Sequence, residues 1–135
     1  MNYIADTLIK TRELIIYGDT WCQGSFADSQ YERKTKHCLV GAIATAMDYP
    51  FSDIGNGDII DDVIDHVADS IREQPTAEEK VYKFIKESYI NEPESIDYVL
   101  AYNDYSSHKE VIEVVDHSIE AAKKIGELMT FEGIF

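Results

Sequence analysis

The sequence predicts an all-α fold, a compact bundle of five or six helices in a single domain, and three observations lead there. Apolar residues recur at spacings of three and four along much of the chain, as in Ile60, Val63, Ile64, Val67 and Ile71. Stop residues, among them Gly18, Pro50, Pro75 and Pro93, divide these stripes into segments of helix length. The chain has 135 residues, 44% of them hydrophobic, so a core burying roughly two-thirds of the unfolded surface is within reach. Such a core needs no disulfide or metal staple, and residues 1–135 are expected to form one helical domain.

The first helix is expected over residues 3–17, with Ile4, Leu8, Leu14 and Ile15 on one face and Gly18 placed to end it in the left-handed conformation. Residues 19–36 have no sustained helical period and read either as a small β-hairpin or as an irregular loop. A connection of that length inside a compact domain is more often functional than a plain linker. The second helix opens near His37 or Cys38 and aligns Leu39, Ala42, Ile43, Ala46 and Met47. Its small residues Gly41, Ala42, Ala44 and Ala46 suit close approach of a neighbouring helix, which marks it as the centre of the fold, with helices three, four and six packed around it. Pro50 stops it, because the residue before a proline is driven out of helical geometry.

A turn-rich stretch over residues 51–57 leads to the third helix, with Asp58 as its N-cap and Pro75 beyond its end. Thr76 with Glu79 has the spacing of a capping box for the fourth helix, whose stripe is Val81, Phe84, Ile85 and Tyr89. Asn91, Glu92 and Pro93 close that helix, and a short fifth follows over residues 96–102 with Ser95 as its cap. The sixth opens on a second capping box, Ser107 with Glu110, and carries Val111, Ile112, Val115, Ile119, Ala122, Ile125 and Met129 along one side. Lys123 and Lys124 lie in its C-terminal part, where positive charge suits the helix dipole.

Charge restricts the partners. The chain has 26 acidic and 12 basic residues, a formal net charge of −14. Residues 48–79 contain ten acids and a single base, Arg72. That field repels phosphate backbones, so direct nucleic-acid binding is not expected, whereas a protein partner with a basic surface is. Asp61, Asp62, Asp65 and Asp69 share the outer face of the third helix and are the residues expected to meet it. No apolar run approaches the ~20 residues that cross a bilayer, and residues 1–11 mix Asn2, Asp6 and Lys10 into their apolar positions. The protein is expected to be cytoplasmic and away from membranes.

Chemistry, if present, is expected between Trp21 and Met47, which contain both cysteines, the lone tryptophan and one of the four histidines. Cys38 falls in the first turn of a helix, where unpaired backbone N–H groups lower a thiol pKa. His108 and Asp104, approaching from another element, would complete a nucleophilic constellation of Cys38, His108 and Asp104. The plainer reading makes Cys38 a small buried apolar residue. Trp21 likewise reads as a core plug with its indole N–H bonded internally, or as a stacking surface for a ligand. Trp21, Gln23, Arg33 and His37 are the candidate binding residues around such a cleft. Arg33, Lys34, Lys36 and His37 form the one basic cluster. Asn103-Asp104 most simply makes a turn. His66 and His117 read as satisfied structural histidines.

Metal and cofactor sites are not expected. Cys22, His37 and Cys38 supply three zinc ligands where a structural site needs four, and two of the three are adjacent. Asp53, Asn56, Asp58, Asp61 and Asp62 miss the spacing of a calcium loop.

Three short motifs resemble those of an uncharacterised family of small bacterial and phage proteins. The residues are Trp21, Gln23 and Gly24 after the first helix, then Cys38, Gly41, Ala42 and Ile43, then Asn103-Asp104 before a capped helix. The family's pattern is Gly-Trp-x-Gln-Gly, Cys-x-x-Gly-Ala and Trp-Asn-Asp ahead of a C-terminal helix. The resemblance spans residues 3–122, with Thr20 standing where the family tends to have Gly and Tyr102 where it tends to have Trp. It implies a shared fold and a phage or mobile-element setting, and no activity comes with it.

The function expected from these readings is that of a small acidic cytoplasmic accessory or interaction protein that engages a basic protein partner. The alternatives are a cysteine-dependent hydrolase or transferase using Cys38, and a small-ligand sensor built on Trp21, Arg33 and His37.

Overall fold

Helix formation here follows burial more closely than capping. The computed structural model of the protein describes residues 2–28 and 35–133, with side chains described as far as residue 125. The elements in order are α1 (Tyr3–Ile15), β1 (Ala27–Asp28), β2 (Lys36–His37), α2 (Leu39–Ala46), α3 (Ile60–Arg72), α4 (Ala77–Ser88), α5 (Ser95–Tyr105) and α6 (His108–Gly133), with short 3-10 turns at Gly18–Thr20 and Phe51–Asp53. The fold is all-α, and β1 and β2 form a two-residue antiparallel hairpin between the first two helices, pairing Ala27 with His37 and Asp28 with Lys36.

In α3 the predicted stripe is realised in full. Ile60, Val63, Ile64, Val67 and Ile71 are buried, and Asp62, Asp65 and Asp69 face water. Each buried aliphatic side chain contributes about 1.5–3 kcal/mol, while a good N-cap contributes about 1 kcal/mol. That difference explains why α3 forms without the predicted cap. It begins at Ile60, its N-cap position is Ile59 with no side-chain bond, and the Asp58 carboxylate instead accepts from the Ile59 N–H at 2.7 Å.

Other local signals are also overridden. Thr76 adopts the left-handed conformation (φ 64°) and makes no capping bond, so the expected Thr76–Glu79 box is absent. Gly18 opens a 3-10 turn instead of ending α1 in the left-handed region, and α1 stops at Ile15. The α5 helix runs to Tyr105, and the box at its start is made by Glu94 and Asp97, one residue ahead of the Ser95 cap the sequence suggested. The box at α6 does form, with the Glu110 N–H bonded to Ser107 Oγ at 3.2 Å and the Ser107 N–H to Glu110 Oε1 at 2.9 Å.

Helix α2 is the innermost element. Every residue from Leu39 to Ala44 is buried, but its neighbours differ from those expected. It packs on α1, α5 and α3, while α4 lies on α5, and α6 lies on α1 and α3. The small residues of α2 serve a backbone as well as helices. A Cβ on Gly41 would stand 1.9 Å from the Phe26 carbonyl oxygen, so the segment leading into β1 lies directly on the helix. The side chain of Met129, the last residue of the expected α6 stripe, lies outside the described residues.

Candidate functional site

All three sequence motifs meet at one place, the junction of the segment after α1, the start of α2 and the C-terminal end of α5. Trp21 pairs in parallel with His37, and the Cys22 N–H donates to the His37 carbonyl at 3.0 Å. On the other side the Cys38 N–H donates to the Phe26 carbonyl at 3.2 Å. Residues 37–38 are thereby held between two passes of the preceding loop.

Asn103 is the hub of this junction. It sits in the last turns of α5, fully buried, and its amide uses its full donor and acceptor capacity. Its Oδ1 accepts from the Trp21 indole N–H at 2.7 Å and from the Leu39 N–H at 3.0 Å. Its Nδ2 donates to the Cys22 carbonyl and to Asp104 Oδ1, both at 3.1 Å. The Leu39 N–H is one of the donors a helix start leaves without an intrahelical partner, so Asn103 caps α2 from another helix. Cys38 supplies the local cap, its sulfur accepting from the Gly41 N–H at 3.4 Å.

Gln23 and Asp104 close the other end. Gln23 Nε2 lies 3.1 Å from the carbonyls of Asn103, Asp104 and Ser106, where α5 leaves its last acceptors unpaired. Asp104 Oδ1 accepts from the Gly24 N–H at 3.0 Å. Gly24 has φ 82°, a conformation that glycine takes at no steric cost. His108 Nε2–H donates to the Ile15 carbonyl at 2.6 Å, and its ring lies against Trp21 with centroids 5.4 Å apart. The start of α6 is fastened to the end of α1 in this way.

The electrostatics of the junction favour neutral groups. Burial pushes the Cys38 thiol up to about 11, outweighing the lowering effect of the Gly41 N–H. Cys22 is also raised, first by burial and then by Asp28 and Asp104. His37 is buried and its pKa is lowered for the same reason. A thiolate is the reactive form of cysteine, and neither thiol is held as one near neutral pH.

The candidate residues of the sequence reading are distributed accordingly. Among the described residues no hydrogen bond joins Cys38 to His108 or Asp104. The sulfur bonds to Gly41, the imidazole to Ile15, and the carboxylate to Gly24 and Asn103. Trp21 and Gln23 spend their polar groups on Asn103 and the end of α5. His37 is buried under the loop, and Arg33 lies outside the described residues. The role of Asn103 was not visible locally, since Asn followed by Asp suggests a turn, and three of its four partners are 64 to 82 positions away. On α3, Asp62 Oδ2 accepts from the Tyr3 hydroxyl at 3.0 Å, Asp69 pairs with Arg72 at 2.7 Å, and Asp61 and Asp65 lie on the same outward side. His66 Nε2–H donates to the Ser118 carbonyl at 2.8 Å, and His117 pairs with Glu73 at 2.7 Å on the surface. Among the described residues no cluster of His, Cys, Asp and Glu could hold a metal ion, and no helix is long and apolar enough to cross a membrane.

His37 makes the junction acid-sensitive. Its Nδ1 is buried with no partner among the described residues, so a proton there creates an uncompensated charge. With the folded pKa below the ordinary 6.5, the unfolded chain binds the extra proton first. The stabilising contribution of neutral His37 is complete above about 6.5 and is lost as pH falls toward the folded value. Urea midpoints measured from pH 7.5 to 5 should therefore fall more steeply for the wild type than for His37→Leu. Parallel slopes would remove His37 as the cause.

Fold and junction together define an all-α protein in which one polar hub on the fifth helix fastens the segment after the first helix to the start of the second. Residues 1–121 match the model of a family described as a family of unknown function (DUF6197), and the chain belongs to that family. No curated protein and no solved structure matches the chain.

Proposed function

We propose that this protein is a cytoplasmic accessory protein that binds a basic protein partner through the outer face of α3. The observation that carries the reading is the division of α3. Its inner face is committed to the core, and its outer face presents Asp61, Asp62, Asp65 and Asp69 beside the exposed apolar side chains of Tyr3 (42% exposed) and Ile59 (51% exposed). Carboxylates steer and select a basic surface, and apolar neighbours supply the contact area that charge alone lacks. The hydrogen bond from Tyr3 to Asp62 fixes the two kinds of side chain against each other.

Spacing adds to this reading. Acids three and four positions apart on a helix stand ~5–6 Å from one another, a row of negative charge of the kind a nucleic-acid-binding protein grips. In the phage setting that the motifs imply, the partner would be a host protein normally occupied by nucleic acid. The cysteine-enzyme reading draws no support from the junction, where the thiol is capped, buried and protonated.

Reversal of Asp61, Asp62, Asp65 and Asp69 to lysine is the test. Loss of favourable charge in the first turn of α3 costs about 0.3–1 kcal/mol per residue, so the variant should stay folded by circular dichroism. Capture of basic proteins from a lysate should fall at least about tenfold, and added duplex DNA should displace them from the wild type. Equal capture by wild type and variant would end the proposal.

A further inference from the structure

We infer that Cys22 and Cys38 form a thiol modification site, a pair positioned to close into an intramolecular disulfide when a low-molecular-weight disulfide acts as oxidant. The placement comes from the backbone. Trp21 and His37 form an isolated parallel bridge, and the Cys22 N–H donates to the His37 carbonyl, so each cysteine stands one residue beyond the bridge on adjacent backbone. Neighbouring strands stand ~4.7–4.9 Å apart, inside the ~4.4–6.8 Å separation of α-carbons that a disulfide requires. Cys38 keeps extended backbone at this point (φ −78°, ψ 174°) and turns into the helix only after it. The proximity registers electrostatically as well, because Cys22 contributes to raising the Cys38 thiol.

The two thiols have unequal access. Cys38 is buried, and Cys22 is partly exposed, so Cys22 meets the oxidant first. Its thiolate attacks one sulfur of the small disulfide, forming a mixed disulfide and releasing one small thiolate, which takes up a proton. Cys38 then loses its proton to solvent and attacks the Cys22 sulfur. The Cys22–Cys38 bond forms, the mixed disulfide breaks, and the second small thiolate leaves and is protonated. Two protein thiols are oxidised by two electrons and one small disulfide is reduced to two thiols. Each thiol gives up only a weak contact. Cys38 loses the Gly41 N–H at 3.4 Å, and Cys22 its contact to the Ser25 carbonyl at 3.6 Å. The bond would tie the segment after α1 covalently to the start of α2 and enclose the loop that carries the hairpin.

Oxidised glutathione at about pH 8.5, where an ordinary thiol is half ionised, is the probe. The wild type should yield a monomer lighter by two hydrogens, free of glutathione, whose digest links the Cys22 and Cys38 peptides until reductant is added. Its helical signal should persist and its melting temperature should rise by several degrees, since closing a loop of this size restricts the unfolded chain. Cys38→Ser should stop at one glutathionyl group on Cys22, and Cys22→Ser should form no internal bond. The inference is overturned if the wild type keeps glutathione on Cys22 with Cys38 still a thiol, links only between molecules, or remains fully reduced under excess oxidant. The wild-type outcome decides the matter alone should Cys38→Ser fail to fold.

Discussion

Replacing Gly41 by alanine is expected to destabilise the protein by about 3 kcal/mol or more, one of the largest effects open to a single methyl group. The added Cβ would lie 1.9 Å from the Phe26 carbonyl oxygen and 2.7 Å from its carbon, where ordinary contact begins near 3.4 Å. Both opposing atoms are backbone, so no side chain can rotate away. Relief requires α2 and the segment before β1 to separate, which pulls on the Cys38 N–H bond to Phe26 and on the Trp21–His37 pairing behind it. A loss of that size lowers the melting temperature by on the order of 10 °C, measurable by circular dichroism and by the emission of Trp21, which sits on the affected segment. Gly18→Ala is the control, since a Cβ there has nothing within 4 Å. Equal melting temperatures for the two variants would show that the close approach is not maintained in solution.

The contrast between these glycines indicates what the sequence disclosed and what it did not. A buried stripe repeats every three to four residues along one element, so α3 was legible from residue order alone, and so was the α6 stripe as far as Ala122, beyond which Ile125 is half exposed. Caps are decided by competition. Asp58 and Thr76 have the right chemistry for N-caps, yet each offers about 1 kcal/mol against several buried aliphatic side chains that set where the helix lies. Gly18 was expected to end a helix and Gly41 to admit a neighbouring one, and only the fold reveals that the first faces open space and the second a backbone carbonyl. At Trp21, Cys38 and Asn103 polar and sulfur-containing residues interrupt the helical pattern. Their convergence was legible as a suspicion of chemistry, but their meaning was not. Whether a thiol beside a helix start is reactive depends on burial, and the near-complete burial of Cys38 is set by how distant parts of the chain pack, which residue order does not give. The acidic face of α3 was the opposite case, since alternation of apolar and acidic positions on one helix already fixes which side meets water.

Asn103→Leu is expected to approach complete loss of the folded state under conditions where the wild type is stable. Leucine removes a side chain that makes four hydrogen bonds from a fully buried position and strands the buried Leu39 N–H together with the part-buried Trp21 indole N–H and Cys22 carbonyl. Each such group costs about 1–3 kcal/mol when left unpaired, so the total is on the order of 5 kcal/mol, comparable with the whole stability of a small domain. The apolar surface leucine gains is worth less than this, and its branched end does not match the planar amide it replaces. Asn103→Asp separates the two halves of the hub. The ionised carboxylate keeps the acceptors for Trp21 and Leu39 but loses the donor to the Cys22 carbonyl and sets a negative charge beside the Asp104 carboxylate, whereas the protonated form retains one O–H donor. Burial and Asp104 both raise the pKa of the introduced group above the ordinary carboxylate value near 3.9. A raised acid contributes its full stability below the unfolded pKa and loses it as pH climbs toward the folded pKa. The deficit of Asn103→Asp relative to wild type should therefore be smaller at about pH 4 than at pH 7, while that of Asn103→Leu should stay large at both. Chemical denaturation followed by Trp21 emission reads both variants. If Asn103→Leu proved as stable as the wild type, the hub would not be what joins the segment after α1 to α2 and α5, and the clustering of the three motifs would need another cause.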